Sequence, residues 1–246
     1  MSRENSFSRT ELLIGTEGIK KLEKSCVAVF GIGGVGSFVV EGLVRAGVGE
    51  FLLIDYDMVS VSNINRQIHA LQSTVGRPKA EVMAERIKDI NPNARVEVRL
   101  ERYVSERSEE LFSKHMDYVV DAVDDIEAKV SLAEECLKRE IAFISSMGTG
   151  RRINAASFKV SDIKNTEGDP LAKKFRKLLR LKGIESGVKV VYSPEPPLRV
   201  LRKDENDLDE QVDGYSKEKE PLGSISFVPS VVGLLLAGEV VRDILN

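Results

Sequence analysis

The sequence is poor in the residues that build metal centres and disulfide frameworks. Among 246 residues there are two cysteines, Cys26 and Cys136, and two histidines, His69 and His115. No C-x-x-C pair occurs, which excludes a zinc knuckle and a disulfide scaffold. Both cysteines lie in apolar runs and read as small core residues. Neither histidine has a base or nucleophile beside it, so both read as structural or surface residues. Excess positive charge is absent too: the net charge is −3, so nucleic-acid binding would need a local basic patch. The most apolar stretch, "ISFVPSVVGLLLAG", is too short to span a bilayer and contains Pro229 and Gly233. The charged start, "MSRENSFSRTELL", lacks the apolar segment of a secretion signal. The expectation is a cytoplasmic protein without integral membrane association.

What is present is a globular chain, 42% hydrophobic and 30% charged, with no internal repeat. Residues 10–24 have helical spacing, with Leu12, Leu13, Ile19 and Leu22 on a common side. "CVAVF" and "EFLLID" are continuous apolar runs, the pattern of buried parallel strands. Helical windows at 77–90 and 126–139 alternate with short strands in "ARVEVRL", "DYVVDAV" and "IAFISS". This βαβ rhythm predicts an α/β fold: a Rossmann-like, doubly wound, mostly parallel sheet with helices on both faces. After Gly150 the rhythm changes. "RRINAASFKVSDI" and "VKVVYS" read as antiparallel strands flanking a basic helix over 170–182, and a final helix runs over 229–245. Between Arg202 and Glu220 roughly two thirds of positions are charged, which reads as a mobile solvent loop. The organisation expected is one domain over 1–246, its nucleotide-binding half at 1–150 and its substrate and dimer half at 151–246.

Candidate function begins at "GIGGVG". Gly31, Gly33 and Gly36 satisfy G-x-G-x-x-G between a strand and a helix, with Gly34 in the same turn. Asp55 ends the next strand 19 residues after Gly36, near the spacing of a ribose-binding acid. Glycines let the backbone approach phosphates, and the helix N-terminus attracts their charge. That motif alone favours NAD. However, Asn63, Arg66, Gln67 and Lys79 follow just beyond the second strand. A triphosphate requires several such cations and donors, because charge is offset at each phosphate as a bond breaks. Arg66 offers a planar fork and Lys79 a point charge. Asp121, Asp124 and Asp125, in "VVDAVDD", fall on the same carboxyl edge and imply Mg²⁺ between them and the phosphates. Asp125 also suits the N-cap of the following helix.

"GIGGVGS", "LIDYD", "NINRQ", "VGRPKAE" and "DAVDD", in this order and spacing, resemble the ubiquitin-activating-enzyme-like adenylating superfamily. The resemblance implies that ATP and Mg²⁺ are used to adenylate a carboxylate. It implies a cofactor-binding set of Gly31, Gly33, Gly34, Gly36, Asp55, Asp57, Asn63, Arg66, Gln67 and Lys79. Within that set Asp55 would hold the ribose, Arg66 and Lys79 the phosphates, and Asn63 the reacting region; Asp124 would hold the metal. Arg9, in "FSRTELLIG", matches an arginine that in relatives reaches the triphosphate of the other subunit, which implies a homodimer. Arg9, Arg66, Lys79 and Asp124 form the catalytic set.

Departures from the superfamily select a branch. Sulfur-carrier activators usually have paired C-x-x-C ligands and often a later reactive cysteine, whereas this chain has no cysteine after Cys136. With "VSDI", "DPLAKKFR" and "VVYSPE", nearly the whole chain resembles the branch that dehydrates a carboxylate-bearing nucleoside of tRNA. There a neighbouring group on the substrate attacks the acyl-adenylate, so the protein need supply no nucleophile. A tRNA partner is thus implied. "DPLAKKFRKLLRLKG" places Lys173, Lys174, Arg176, Lys177 and Arg180 around an apolar set, as phosphate contacts require; a solvated helix face has the same pattern. Two rival functions stay open: adenylation of the C-terminal glycine of a ubiquitin-like or sulfur-carrier protein, and a non-catalytic NAD-binding module. A sulfur-transfer partner, such as a cysteine desulfurase or sulfur acceptor, also stays open.

Overall fold

A computed structural model describes residues 5–199 and 222–246. The charged run at 202–220 lies outside the described residues. Strands β1 (Cys26–Phe30), β2 (Glu50–Ile54), β3 (Arg95–Arg99), β4 (Tyr118–Asp121), β5 (Ala142–Ser146), β6 (Lys159–Asp162) and β7 (Lys189–Tyr192) form one sheet, in the order β3-β2-β1-β4-β5-β7-β6. Every neighbouring pair is parallel except β6 with β7. The expected doubly wound sheet is therefore present, and β6 alone runs against the rest.

Helices cover both faces because the strands are apolar on both. Along β1, Val27 and Val29 enter one core while Ala28 and Phe30 enter the other, as the two-residue period of a strand requires. The first core is closed by α1 (Ser8–Lys24), α2 (Gly36–Ala46), α3 (Lys79–Ile90) and α7 (Phe227–Leu245), and the second by α4 (Ser108–Phe112), α5 (Ile126–Lys138) and α6 (Pro170–Leu181). The last helix, α7, lies directly on α2. A Cβ at Gly233 would come within 2.5 Å of the Val35 carbonyl, and one at Gly42 within 2.8 Å of the Ala237 methyl. Small residues in α7 thus serve intimate contact with α2. Leu236 is fully buried at this junction, where truncation to alanine costs roughly 2–5 kcal/mol.

Three expectations need correction. Gly15 interrupts α1 with φ 72° and ψ 170°, so the helical phase does not carry across it. Ile19 and Leu22 are buried as expected, but Leu12 and Leu13 are 80% and 87% exposed. The strand expected across "RRINAASFKVSDI" shrinks to β6, because Arg151 takes a left-handed φ of 57° and Ala155–Ser157 form a 3₁₀ turn that Asn154 caps. Finally, Cys26 opens β1 half-exposed, and only Cys136 is a core residue.

Candidate active site

In a sheet ordered this way the connections leave in opposite directions from β1 and β4, opening a crevice at their carboxyl ends. A cavity of about 640 Å³ lies there. Gly31, Gly33 and Gly34 form its floor after β1. Gly31 takes φ 84°, and a Cβ there would lie 2.7 Å from the Ala122 carbonyl. At Gly36, which starts α2 just behind the floor, a Cβ would fall 1.8 Å from the Gly31 carbonyl. Only glycine permits this turn, which leaves the N-terminus of α2 aimed at the crevice.

Asp55, Asp57, Asn63, Arg66, Gln67, Lys79 and Asp124 also line the cavity, so the cofactor-binding set comes together apart from Gly36. The Asp55 carboxylate accepts from the N–H groups of Ile32 (2.6 Å) and Asp57 (2.7 Å). Burial raises its pKa, and those two donors together with the Lys79 charge oppose the rise. Lys79 is buried and its ammonium is 2.6 Å from the Asp57 carboxylate, so it enters the cavity as a held cation. Arg66 is tied through Nη1 to the Ser62 carbonyl (2.9 Å) and to Asn65 Oδ1 (2.8 Å). Asn63 Oδ1 accepts from the Ser60 N–H at 3.1 Å, fixing the turn that carries both. Gln67 is buried, and its Oε1 has no hydrogen-bond partner among the described residues. A buried acceptor in that state is a ready contact for a ligand donor.

The three aspartates after β4 separate. Asp125 accepts from the N–H groups of Glu127 (2.9 Å) and Ala128 (3.4 Å), capping α5, and pairs with Arg102. Asp121, expected at the mouth, is fully buried and pairs with Lys129 at 3.0 Å. As the last residue of β4, its side chain falls on the α5 face of the sheet. Asp124 alone stands exposed at the cavity. Among the described residues there is no group of three or more side chains arranged to hold a metal. Arg9 and the basic residues of α6 are not in the cavity wall.

Several cavity residues carried no recognised signal in the sequence. Lys129, 1% exposed, joins Asp121, the Ser146 carbonyl (2.8 Å) and Ser145 Oγ (3.4 Å), locking the ends of β4 and β5 together. Arg152 and Asp169, both buried, face each other at 3.3 Å on the far wall. Of this group only Asp169 adjoins an element expected from the sequence, the helix over 170–182, and the structure makes it that helix's N-cap. No thiol belongs to the site. Burial pushes the pKa of both Cys26 and Cys136 up, and neither lines the cavity. His69 is buried outside the wall, and both its ring nitrogens lack partners among the described residues.

The model of the ThiF family matches residues 7–246. The chain belongs to the ThiF family. This family member is 48% identical over 243 residues, 98% of its length and 95% of the relative's, to the tRNA threonylcarbamoyladenosine dehydratase of Bacillus subtilis (strain 168). It is 30% identical over 172 residues, 70% of each chain, to the molybdopterin-synthase adenylyltransferase of Haemophilus influenzae. Its fold superposes with a TM-score of 0.84, at 33% identity, on the crystal structure of E. coli tRNA N6-threonylcarbamoyladenosine dehydratase in complex with ATP, covering 97% of this chain and 93% of that one.

Proposed function

We propose that this protein is an ATP-dependent enzyme that dehydrates threonylcarbamoyladenosine in tRNA through an acyl-adenylate. One observation carries the reading: a glycine-floored cavity gathers Arg66, Lys79 and Asp124, while both thiols of the chain are withdrawn from it. The near full-length similarity to dehydratases agrees with it. The triphosphate lies over the Gly31–Gly36 turn, with the ribose at Asp55 and Asp57. Lys79 and Arg66 offset the charge that builds as the substrate carboxylate attacks the α-phosphorus and pyrophosphate leaves. Asn63 and Gln67 present amides to the same region. The neighbouring carbamoyl group then attacks the acyl carbon, AMP departs with the carboxylate oxygen, and the ring closes with loss of a proton. No protein nucleophile is needed, because groups on one molecule meet at high effective concentration.

Mg²⁺ fits the site in its usual manner, on one carboxylate plus phosphate oxygens and water. Asp124 would hold it, and it would neutralise the leaving pyrophosphate. The protein works in the cytoplasm as a homodimer, with Arg9 reaching the triphosphate of the partner subunit. In support, Arg9 sits beside Leu12 and Leu13, two exposed apolar side chains that association would cover. The tRNA backbone lies along α6, which starts at the cavity wall and exposes Lys173, Lys174, Lys177 and Arg180. Arg176 is not in that row: its Nη1 donates to the Thr166 carbonyl (2.6 Å) and hydroxyl (2.5 Å), bracing the preceding loop.

The test is mass spectrometry of nucleosides from threonylcarbamoyladenosine-containing tRNA after incubation with protein, ATP and Mg²⁺, under mild workup. ATP-dependent loss of one water from the modified nucleoside is expected. An unchanged nucleoside beside active ATP–pyrophosphate exchange with a carrier protein's C-terminal glycine would replace this reading with carrier adenylation.

A further inference from the structure

The half of the cavity away from the glycine turn is walled by Ser146–Arg152, by Asp169–Leu171 at the start of α6, and by Pro197, Leu222 and Ser224. Within this wall Arg152 and Asp169 form an ion pair whose side chains are 1% and 0% exposed. The pair is incomplete. Asp169 spends Oδ1 on the N–H groups of Leu171 (2.8 Å) and Ala172 (3.1 Å), and Oδ2 meets Arg152 Nη2 at 3.3 Å, outside hydrogen-bond geometry. Arg152 Nε donates to the Gly148 carbonyl at 3.2 Å. Nη1 has no acceptor among the described residues, although it is buried. A guanidinium carries five donors and keeps its charge at any physiological pH. Burying one with donors unspent costs free energy that an incoming oxygen acceptor recovers. The backbone also fixes the presentation. Arg151 is left-handed, its N–H donates to the Gly223 carbonyl and its carbonyl accepts from the Leu198 N–H, both at 2.7 Å. Arg152 is therefore delivered to the wall by a pinned loop.

We infer that Arg152, anchored by Asp169 and the Gly148 carbonyl, is the specificity-determining residue that receives the oxygen-rich acyl end of the substrate opposite the nucleotide. This rests on the proposed dehydration, since it names which group of this chain recognises that reaction's substrate. The acceptor chemistry it fits is a carboxylate or urea-type carbonyl oxygen, planar like the guanidinium. The adenine, ribose and triphosphate are held at the other end, so Arg152 contributes to substrate binding and not to ATP binding.

The experiment compares wild type with Arg152→Gln, Arg152→Lys and Asp169→Asn. Asn keeps the helix cap but removes the anchoring charge. Steady-state conversion of modified tRNA, ATP affinity by calorimetry and thermal melting are measured for each. The expected result is a KM for modified tRNA raised about tenfold or more in Arg152→Gln, the loss appropriate to a charged hydrogen bond. Arg152→Lys recovers part of it, and Asp169→Asn shifts the same constant less. In every variant ATP affinity and kcat stay within about threefold of wild type, since only binding of the acyl end has changed. An unchanged KM in folded variants of an active enzyme overturns the assignment. A parallel loss of ATP affinity does so too, because it makes the residue a general support of the cavity. Wild-type protein that fails to convert the modified tRNA overturns the proposed function, and this inference falls with it.

Discussion

Replacing Lys129 with methionine should be among the most damaging single changes available to this molecule. The ammonium and the Asp121 carboxylate are 1% and 0% exposed and 3.0 Å apart. Methionine fills most of the volume but leaves a carboxylate in a dry interior. It also strips the Ser146 carbonyl of its donor at 2.8 Å. Breaking a buried pair on one side costs about 3–5 kcal/mol, because the remaining charge is uncompensated. A domain's whole stability is about 5–15 kcal/mol. With a urea slope of about 3 kcal/mol/M, the unfolding midpoint should fall by roughly 1–2 M. Adding Asp121→Asn to Lys129→Met removes the stranded charge while keeping an acceptor for the Val123 N–H, now 3.1 Å from Asp121 Oδ1. The double variant should therefore be more stable than the single one, within about 1–2 kcal/mol of wild type. Urea unfolding followed by circular dichroism reads this order directly. A single variant at least as stable as the double would refute the claim that an uncompensated charge sets the cost.

Asp124→Ala should abolish turnover while leaving the melting temperature nearly unchanged, because the side chain is exposed and contributes nothing to either core. Verified heterodimers of Asp124→Ala with Arg9→Ala should regain partial activity, one intact site per dimer; no rescue would mean that Arg9 does not act across subunits. Burial, reinforced by Lys79 and Arg86, lowers the His69 pKa to about 4 from 6.5. The neutral ring is favoured by folding, so this contribution is complete above pH 6.5 and is lost as pH falls from there towards 4, by about 3 kcal/mol at most. His69→Leu should flatten that part of the stability–pH curve, measured by urea unfolding across the window. Replacing Lys173, Lys174, Lys177 and Arg180 together with glutamine should weaken tRNA binding. Its logarithmic salt dependence should become shallower by about one unit for each phosphate left without its cation. Filter binding at several salt concentrations measures both.

The parts of this architecture legible in the sequence were those written in local pattern. The apolar runs of β1 and β2, the glycine turn and the acid at Asp55 each follow from neighbours a few residues apart. Gly15 escaped because helical spacing is counted as if the phase continued, and one non-helical residue resets it. That turned Leu12 and Leu13 outward. The aspartates after β4 looked like one cluster because sequence records proximity and not side. Strand alternation sends Asp121 inward, while the turn after β4 leaves Asp124 at the crevice. Lys129 was hidden for a different reason. A lysine in a helix ordinarily faces water, and only a buried carboxylate supplied by β4 reverses that. Arg152 and Asp169 meet through the tertiary arrangement of β5 and α6, which no spacing encodes.

The seating of α7 on α2 has a consequence for how local opening and ligand binding are linked. Pro229, in the first turn of that helix, also lines the cavity, and a Cβ on Gly34 would lie 3.2 Å from its ring. The glycine turn is thus walled by a helix that is far from it in sequence. Any fluctuation that lifts the start of α7 off α2 also removes one wall of the crevice. A ligand seated in the crevice binds only the docked form, so its binding free energy adds to the hold of α7 on the sheet. Amide exchange in α7 should therefore slow when the crevice is filled.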